Sequence, residues 1–339
     1  MARVDMAETE NGGPGDERSR SRFRTALDRW RGDRGIWRRG ILLAACAVLL
    51  TLLMVFHAEI PNRIGNLGSL TETFLPWLGV CVPVLLVLAL LRRSATALIA
   101  LLLPAVVWVN LFGGLVTDKS ATGGDLTVVT HNVNADNPDP EGTARQIAGS
   151  GADVVALEEL KGEMVPVYER ALAGTYKYHS VQGTVGLWST YPLSDPQPVD
   201  IGMGWTRAMR ATVATPKGDV RVYVAHLPSV RVKLNAGFTA NQRDNSADLL
   251  GEAIADDRER IVLLGDLNGT MNDRSLNAVT AQMRSTQGAS GDGFGFSWPA
   301  SFPMARIDQI LVRGMEPVSS WTLPETKSDH LPIAARVRF

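Results

Sequence analysis

The sequence predicts an α/β fold in which two mainly antiparallel sheets pack together with helices on their outer faces, preceded by three transmembrane helices. Three observations carry this. Apolar runs of strand length recur after residue 125, and their carboxyl ends bear a carboxylate, an amide or an imidazole: Asn132, Glu159, His226, Asp266 with Asn268, and Asp308. Strand-like and helix-like stretches mix there, but hairpins outnumber crossovers, which favours antiparallel sheets with the polar ends gathered at one rim. Nearly all the long apolar runs, by contrast, lie before residue 117.

At 339 residues the chain has room for two domains. Residues 1–39 hold ten arginines among Gly, Ser, Asp and Glu. Such a composition cannot bury a core and predicts a disordered basic tail. Three apolar runs follow over residues 41–56, 74–91 and 95–116, which place a membrane anchor at 40–116. Each run approaches the roughly 20 residues that a helix needs to cross hydrocarbon. A cleaved signal peptide would account for the first run alone, but two more runs follow and no small-residue cleavage site stands near His57. Orientation follows from charge. The tail and the Arg92-Arg93 turn are basic, whereas residues 57–73 carry one Arg against two Glu. The positive-inside rule puts the first two in the cytoplasm, so three crossings leave the rest outside.

Both cysteines, Cys46 and Cys81, fall inside the apolar runs, and the domain at 125–339 has none. It needs no disulfide to persist outside the cell. Residues 117–339 contain 21 basic and 26 acidic residues. Nucleic acid is disfavoured as a partner, because affinity for a polyanion comes mostly from Lys and Arg at the phosphates. No obligate protein partner is implied. Residues 117–124 form a short linker containing Gly, which would hold the domain within about 30 Å of the bilayer. Met203, Trp205, Phe238 and Phe294 are candidates for contact with the membrane interface, each with packing as the alternative.

Along the domain, residues 126–133 alternate and β-branch like a strand, a helix is expected at about 142–150, and 153–157 is a second buried strand ending in Glu158-Glu159. Residues 183–188 and 207–215 read as strands, the latter paired through a Lys217-Gly218-Asp219 turn with 220–225. A helix at about 242–255, the run IVLLGDLNG at 261–269, RIDQILV at 306–312 and SDHLPIAARV at 328–337 complete it. His179 is expected in an exposed loop.

In GDLN, Asp266 and Asn268 are two apart, so an extended chain projects both from one face. An Asx turn that merely ends the strand would use the same residues. The wider set of charged donors, Glu159, Asp266, Asp308 and Asp329 with the amides Asn132 and Asn268, consists of hard oxygen ligands suited to Mg²⁺ or Mn²⁺ and poorly suited to zinc. His226 and His330 add imidazoles, and Asp308 could hold His330 in its tautomer and stabilise its charged form. A divalent cation, a water-orienting Asp and a charge-stabilising imidazole describe phosphoester or diphosphate hydrolysis. No nucleophile elbow is present, which argues against a serine hydrolase.

The ordered segments Asn132, LEE, GLWSTYPLS, AHLPS, GDLN, RIDQILV and SDHLP resemble the endonuclease/exonuclease/phosphatase superfamily over nearly all of residues 125–339. The resemblance implies a four-layer α/β sandwich and divalent-metal phosphodiesterase or phosphatase chemistry. It assigns Glu159 and Asn132 to metal binding with Asp329 as a nearby contact, Asp266 to water activation, Asn268 and His226 to phosphate, and Asp308 to pairing with His330. Where several nuclease relatives have an Asp two residues after the first Asn, this chain has Asn134, so a second metal position there is in doubt. The layout of basic tail, three spans and outer domain also resembles VanJ-type actinobacterial membrane phosphatases of teicoplanin resistance. That likeness implies a polyprenyl diphosphate substrate, undecaprenyl diphosphate. The alternatives are an outer-surface nuclease, a phospholipase or sphingomyelinase-like phosphodiesterase, and a non-catalytic binding or sensor module.

Overall fold

The computed structural model describes residues 35–63, 65–229 and 237–339, with the backbone alone at 237–240. Most of the basic tail and the side chain of Phe238 therefore lie outside the described residues. By contacts the chain divides into two units, one made of the residues up to Leu52 with Gly79–Val107, the other of Leu53–Leu78 with Trp108–Phe339.

The first unit is apolar on its outside. Helix α1 spans Ile41–Val55; α2 (Leu67–Thr73) belongs to the second unit; α3 spans Cys81–Leu91, α4 Ala95–Ala100 and α5 Leu102–Phe112. Leu42, Leu49, Leu102 and Val106 are all more than 60% exposed, the reverse of a water-soluble core. Three full-length spans are not supported. One helical stretch, Ala95–Leu115, has the 21 residues and the apolarity to cross a bilayer. The second expected run, 74–91, yields Leu75–Leu91, which falls short of spanning length by itself; it meets the preceding Leu67–Thr73 at 68°, and only together do the two reach that length among the described residues. The break falls at Phe74-Leu75-Pro76, where the chain runs as a 3-10 helix over Leu75–Val80, and Pro76 has no N–H to continue an α-helical ladder. The first run forms only the 15-residue α1.

The second unit contains two six-stranded sheets among the described residues. One has the order β11 (Glu316–Thr322), β12 (Ile333–Arg338), β1 (Leu126–Asn132), β2 (Val154–Glu158), β4 (Val185–Ser189), β3 (Tyr178–Gln182). The other runs β5 (Leu193–Pro198), β6 (Ala208–Thr215), β7 (Gly218–Ala225), β8 (Ile261–Asp266), β10 (Asp308–Arg313), β9 (Arg284–Ser285). Each is mixed, with one parallel pair, β1 with β2 and β7 with β8, and the remaining neighbours antiparallel. The expectation of mainly antiparallel sheets holds. His179 lies in strand β3, paired with Trp188 and stacked on its ring, and not in a loop.

Strand alternation divides the apolar residues among three cores. Leu126 and Val128 of β1, Val262 and Leu264 of β8 and Ile310 of β10 meet between the sheets. Val129, Val155 and Leu157 face outward to α6 (Pro140–Ala148) and α7 (Val165–Leu172), which contribute Ile147, Tyr168 and Leu172. Ile261, Leu263 and Tyr223 face α8 (Gly237–Ala255), which contributes Leu250 and Ile254. Helix, sheet, sheet and helix thus make four layers. Short α9 (Asn277–Thr280) and α10 (Thr286–Ser290) complete the outer faces.

Met203 is 8% exposed and packs with Ile201 and Leu250, so it does not meet an interface; Trp205 is 56% exposed. Phe294 stacks on Phe296 with ring centroids 5.0 Å apart. The linker is not a free tether. Backbone N–H groups of Lys119, Ala121 and Asp125 donate to the carbonyls of Gly291, Val318 and Val337.

Candidate active site

The inter-sheet face of the strands is apolar until the strand ends, where it turns polar. On β1 the face carries Leu126, Val128, Thr130 and Asn132; on β8 it carries Val262, Leu264 and Asp266; on β10 Val312, Ile310 and Asp308. β8 and β10 run antiparallel with Asp266 directly opposite Asp308, and parallel β1 and β2 set Asn132 beside Glu158. The sandwich rim therefore gathers two carboxylates, an acid and an amide from four strands. Gly265 is required here. A Cβ at this position would stand 1.9 Å from the Ala225 carbonyl oxygen, and its φ of +147° is strained for any other residue.

Asp266 is 1% exposed and fully engaged. Its Oδ1 accepts the Asn268 backbone N–H at 2.9 Å, and its Oδ2 accepts from Asn132 Nδ2 at 3.0 Å and Asn268 Nδ2 at 3.2 Å. Two imidazoles face the same oxygen, His226 Nε2 at 3.7 Å and His330 Nε2 at 3.9 Å. Burial, offset by the His330 charge and reinforced by Asp308, pushes the Asp266 carboxyl up to about 7. It gains and loses its proton near neutral pH.

The two histidines carry opposite charge states. Burial works against a charge on His330, but the Asp308 carboxylate, 2.9 Å from its Nδ1, lifts it to about 10. Asp308 also accepts the Ser297 hydroxyl at 2.5 Å, and the imidazolium and these hydrogen bonds outweigh burial and hold it below its ordinary value. His226 is driven well below its ordinary value by burial and then by Arg207 and His330, so it is neutral. Arg207 fixes its backbone, with Nε donating to the His226 carbonyl at 2.9 Å. Ser328 ties the β1 end to the last motif: its hydroxyl donates to Asn132 O at 2.7 Å and accepts the His330 N–H at 3.1 Å.

Glu159 stands at the mouth, with φ +61°, its Oε2 accepting the Ala135 N–H at 3.1 Å and its Oε1 3.5 Å from His226 Nε2. Asp329 is exposed beside it and accepts from Asn134 Nδ2 at 3.0 Å. Asn134 thus occupies the place where a carboxylate would add to the cation set. Glu158 points inward, fully buried, takes the Thr130 hydroxyl at 2.6 Å, and is pushed well up by burial. Glu159 thus faces the cleft and Glu158 the interior. His131 is a neutral core histidine, driven to about 3 by burial and bonded to Thr326.

The candidate catalytic, phosphate and metal residues Asn132, Glu159, His226, Asp266, Asn268, Asp308, Asp329 and His330 converge here. A cavity of about 340 Å³ is lined by Glu159, His226, Asp266, Asn268, Asp329 and His330, while Asn132 is bonded to Asp266 beneath it. Its other wall is Ser69, Leu70, Thr73 and Phe74, with Trp298 and Ile307. Sequence reasoning missed that wall, and it missed Arg207 and Ser297. None of these sits at the polar end of an apolar run, and only the three-dimensional packing brings them to the site.

The donors fit a divalent cation. Carboxylate oxygens of Glu159 and Asp329 line the mouth and the amide of Asn132 lies just beneath, a set of hard oxygen donors. Asp266, Asp308 and His330 also bring one ligand atom each within 4.8 Å of one another. That trio is better described as an ion-paired imidazolium, because a protonated His330 offers no lone pair to a metal.

The Endonuclease/Exonuclease/phosphatase family matches residues 129–330. No curated protein sequence matches the chain. Among solved structures, the chain is similar to an endonuclease/exonuclease/phosphatase from Beutenbergia cavernae at 19% identity, covering 64% of this chain and 72% of that one with a TM-score of 0.50. It is also similar to the mannosyl-6-phosphatase of Bacteroides thetaiotaomicron at 16% identity, covering 63% of this chain and 100% of that one with a TM-score of 0.52. A Staphylococcus aureus beta toxin variant with bound magnesium ions matches at 15% identity, 62% and 99% coverage and a TM-score of 0.50. These likenesses establish the fold, and the family comprises hydrolases that include phosphatases and nucleases. The family match spans more than half of the sequence and every motif of the rim, and the chain belongs to the endonuclease/exonuclease/phosphatase family.

Proposed function

We propose that the protein is a membrane-anchored, divalent-metal-dependent phosphohydrolase whose domain at 125–339 works at the outer leaflet on a polyprenyl diphosphate. Undecaprenyl diphosphate, the lipid carrier of wall synthesis, is the substrate that the VanJ-type likeness implies, and its recycling to the monophosphate would confer glycopeptide resistance. The observation that carries the chemistry is the meeting in one cavity of a buried carboxyl, Asp266, with an imidazole, His330, whose charge is held by Asp308 2.9 Å from its Nδ1.

Asp266 lines the cavity and its Oδ2 faces both imidazoles, so an attacking water entering the cavity would meet all three groups. Deprotonated Asp266 takes a proton from that water as its oxygen attacks the terminal phosphorus. The bond from phosphorus to the bridging oxygen breaks, inorganic phosphate forms, and the lipid monophosphate leaves as an anion that needs no proton. His330, its charge fixed by Asp308, donates toward the oxygens on which negative charge gathers. His226 and Asn268 bind phosphate oxygens from the opposite side. When bound, a cation held by Glu159, Asn132 and Asp329 supplies Lewis-acid polarisation and charge neutralisation.

A bilayer as the surroundings of the first unit is supported by its exposed leucines and valines and by the apolar stretch Ala95–Leu115. The arginine pattern supports a cytoplasmic amino terminus. The excess of acidic residues in 117–339 supports a compact anionic head group over a polynucleotide. The second reading is a phosphodiesterase acting on phospholipid, favoured by the half-apolar cavity. Purified full-length protein in detergent, given polyprenyl diphosphate, phospholipid and DNA with Mg²⁺ or Mn²⁺, distinguishes them. Phosphate release from the diphosphate that stops on chelation is expected; cleavage of phospholipid without phosphate release would install the second reading, and cleavage of DNA would make the protein a nuclease. Alkaline phosphatase fused after Phe339 should be active in cells, and an inactive fusion would reverse the topology.

A further inference from the structure

Residues 65–78 precede the family match, which begins at residue 129, yet they fold with the catalytic unit. They are fastened there by a buried network. Arg243 is wholly buried, forms a two-pronged pair with Asp273 at 2.7 and 3.2 Å, and donates to the Asn268 carbonyl at 2.8 Å and to Ser69 Oγ at 3.1 Å. One guanidinium thus joins helix α2 to the backbone of a cleft residue. The Thr270 hydroxyl donates to the Glu72 carbonyl at 3.2 Å, and Trp77 Nε1 to the Met304 carbonyl at 2.8 Å. Trp77 also stacks on Phe296 with ring centroids 6.0 Å apart. A segment held by buried hydrogen bonds at Ser69 and Glu72 and by the Trp77 indole at its far end is a fixed part of the site.

The face that this segment turns to the cleft is apolar. Leu70 and Phe74 are half-buried and line the same cavity as Asp266 and His330, with Trp298 and Ile307 beside them. Hydrolysis needs none of them, because none carries a group that moves a proton or holds a charge. Their effect is on what lies next to the phosphate. An apolar chain entering beside the head group would leave water against these side chains, and a sugar-phosphate backbone would gain nothing from them.

We infer that residues 65–78 are a built-in wall of the catalytic cleft and that Leu70 and Phe74 select substrates whose phosphate group carries an apolar chain. The inference rests on the phosphohydrolase reading for its chemistry but not on which phosphorus bond is cleaved. The test measures KM and kcat of the full-length protein in detergent for two series running from methyl to dodecyl, alkyl diphosphates and alkyl phosphodiesters. In whichever series wild type turns over, kcat/KM should rise with chain length by at least about tenfold. In Leu70→Ala/Phe74→Ala the rise should flatten through KM, and the conservative pair Leu70→Met/Phe74→Leu should retain it, which controls for folding. A gradient absent in wild type, or surviving intact in the alanine pair, would overturn the inference. So would equal losses for short and long chains in the conservative pair. Turnover of phosphodiesters in place of diphosphates would instead overturn the diphosphatase reading and leave the wall to be decided by the gradient.

Discussion

On the floor of the cleft, Asn132, Glu158, Asp266 and Asp308 stand at strand ends and are each at most 1% exposed, whereas Leu70 and Phe74 on the opposite wall are half-buried and come from a segment far upstream of β1. The floor is polar where a core would ordinarily be apolar, and the wall is apolar where a surface would ordinarily be polar. Burying ionisable groups is costly unless they are paired, so the floor survives through its hydrogen bonds and the Asp308–His330 ion pair. The wall's cleft-facing side chains bury no charge themselves, and the buried Arg243–Asp273 pair behind them holds them in place. The floor decides whether a phosphorus bond breaks, and the wall decides which molecules bring one.

The comparison breaks most sharply at the ion pair. His330→Ala should lower kcat by at least about a hundredfold while the protein remains folded, since a donor to developing charge is lost. Asp308→Asn should fall in the same direction with a smaller loss, because the imidazole remains but its charge is no longer held. Both are read from steady-state kinetics beside circular dichroism. If both variants kept wild-type kcat and changed only KM, the floor would be acting as a binding surface like the wall.

A smaller effect sharpens the same contrast through pH. His330 titrates at about 10 in the folded protein against 6.5 ordinarily, so the stability that its charge adds is fully present below about pH 6.5 and is lost as pH rises through about 10. Turnover should show an alkaline limb near that upper value, displaced to lower pH in Asp308→Asn. Asp266 moves the other way in consequence: its carboxyl, raised to about 7 by burial, must lose its proton to act as base, which gives turnover measured with the cation present an acid limb on the acid side of neutrality. Substitutions at Leu70 and Phe74 should leave both limbs in place. A pH profile that shifted with the wall variants would mean that the wall is electrostatically part of the floor.

The floor was largely legible in the sequence, because a strand with period two that turns polar at its end marks a rim. The pairing of Asp308 with His330 was readable in another way, from the chemistry of the two side chains and from the family resemblance. Strands β3, β5 and β11 were not, since Tyr178–Gln182, Leu193–Pro198 and Glu316–Thr322 are edge or near-edge strands with exposed positions and little alternation. The bend lies at the start of the second apolar run, where Pro76 is its one mark in the sequence. The wall was invisible for a further reason. Ser69 meets Arg243 across 174 residues of sequence, and no local pattern announces a contact of that range.

The central claim is that this floor performs hydrolysis, and Asp266→Asn tests it most directly, because the substitution keeps the side chain's size and removes its basicity. Phosphate release from undecaprenyl diphosphate by the full-length variant, measured at saturating substrate with Mg²⁺ or Mn²⁺, should fall by at least about a hundredfold against wild type, with thermal stability retained. Near-normal phosphate release by a folded Asp266→Asn protein would contradict the account.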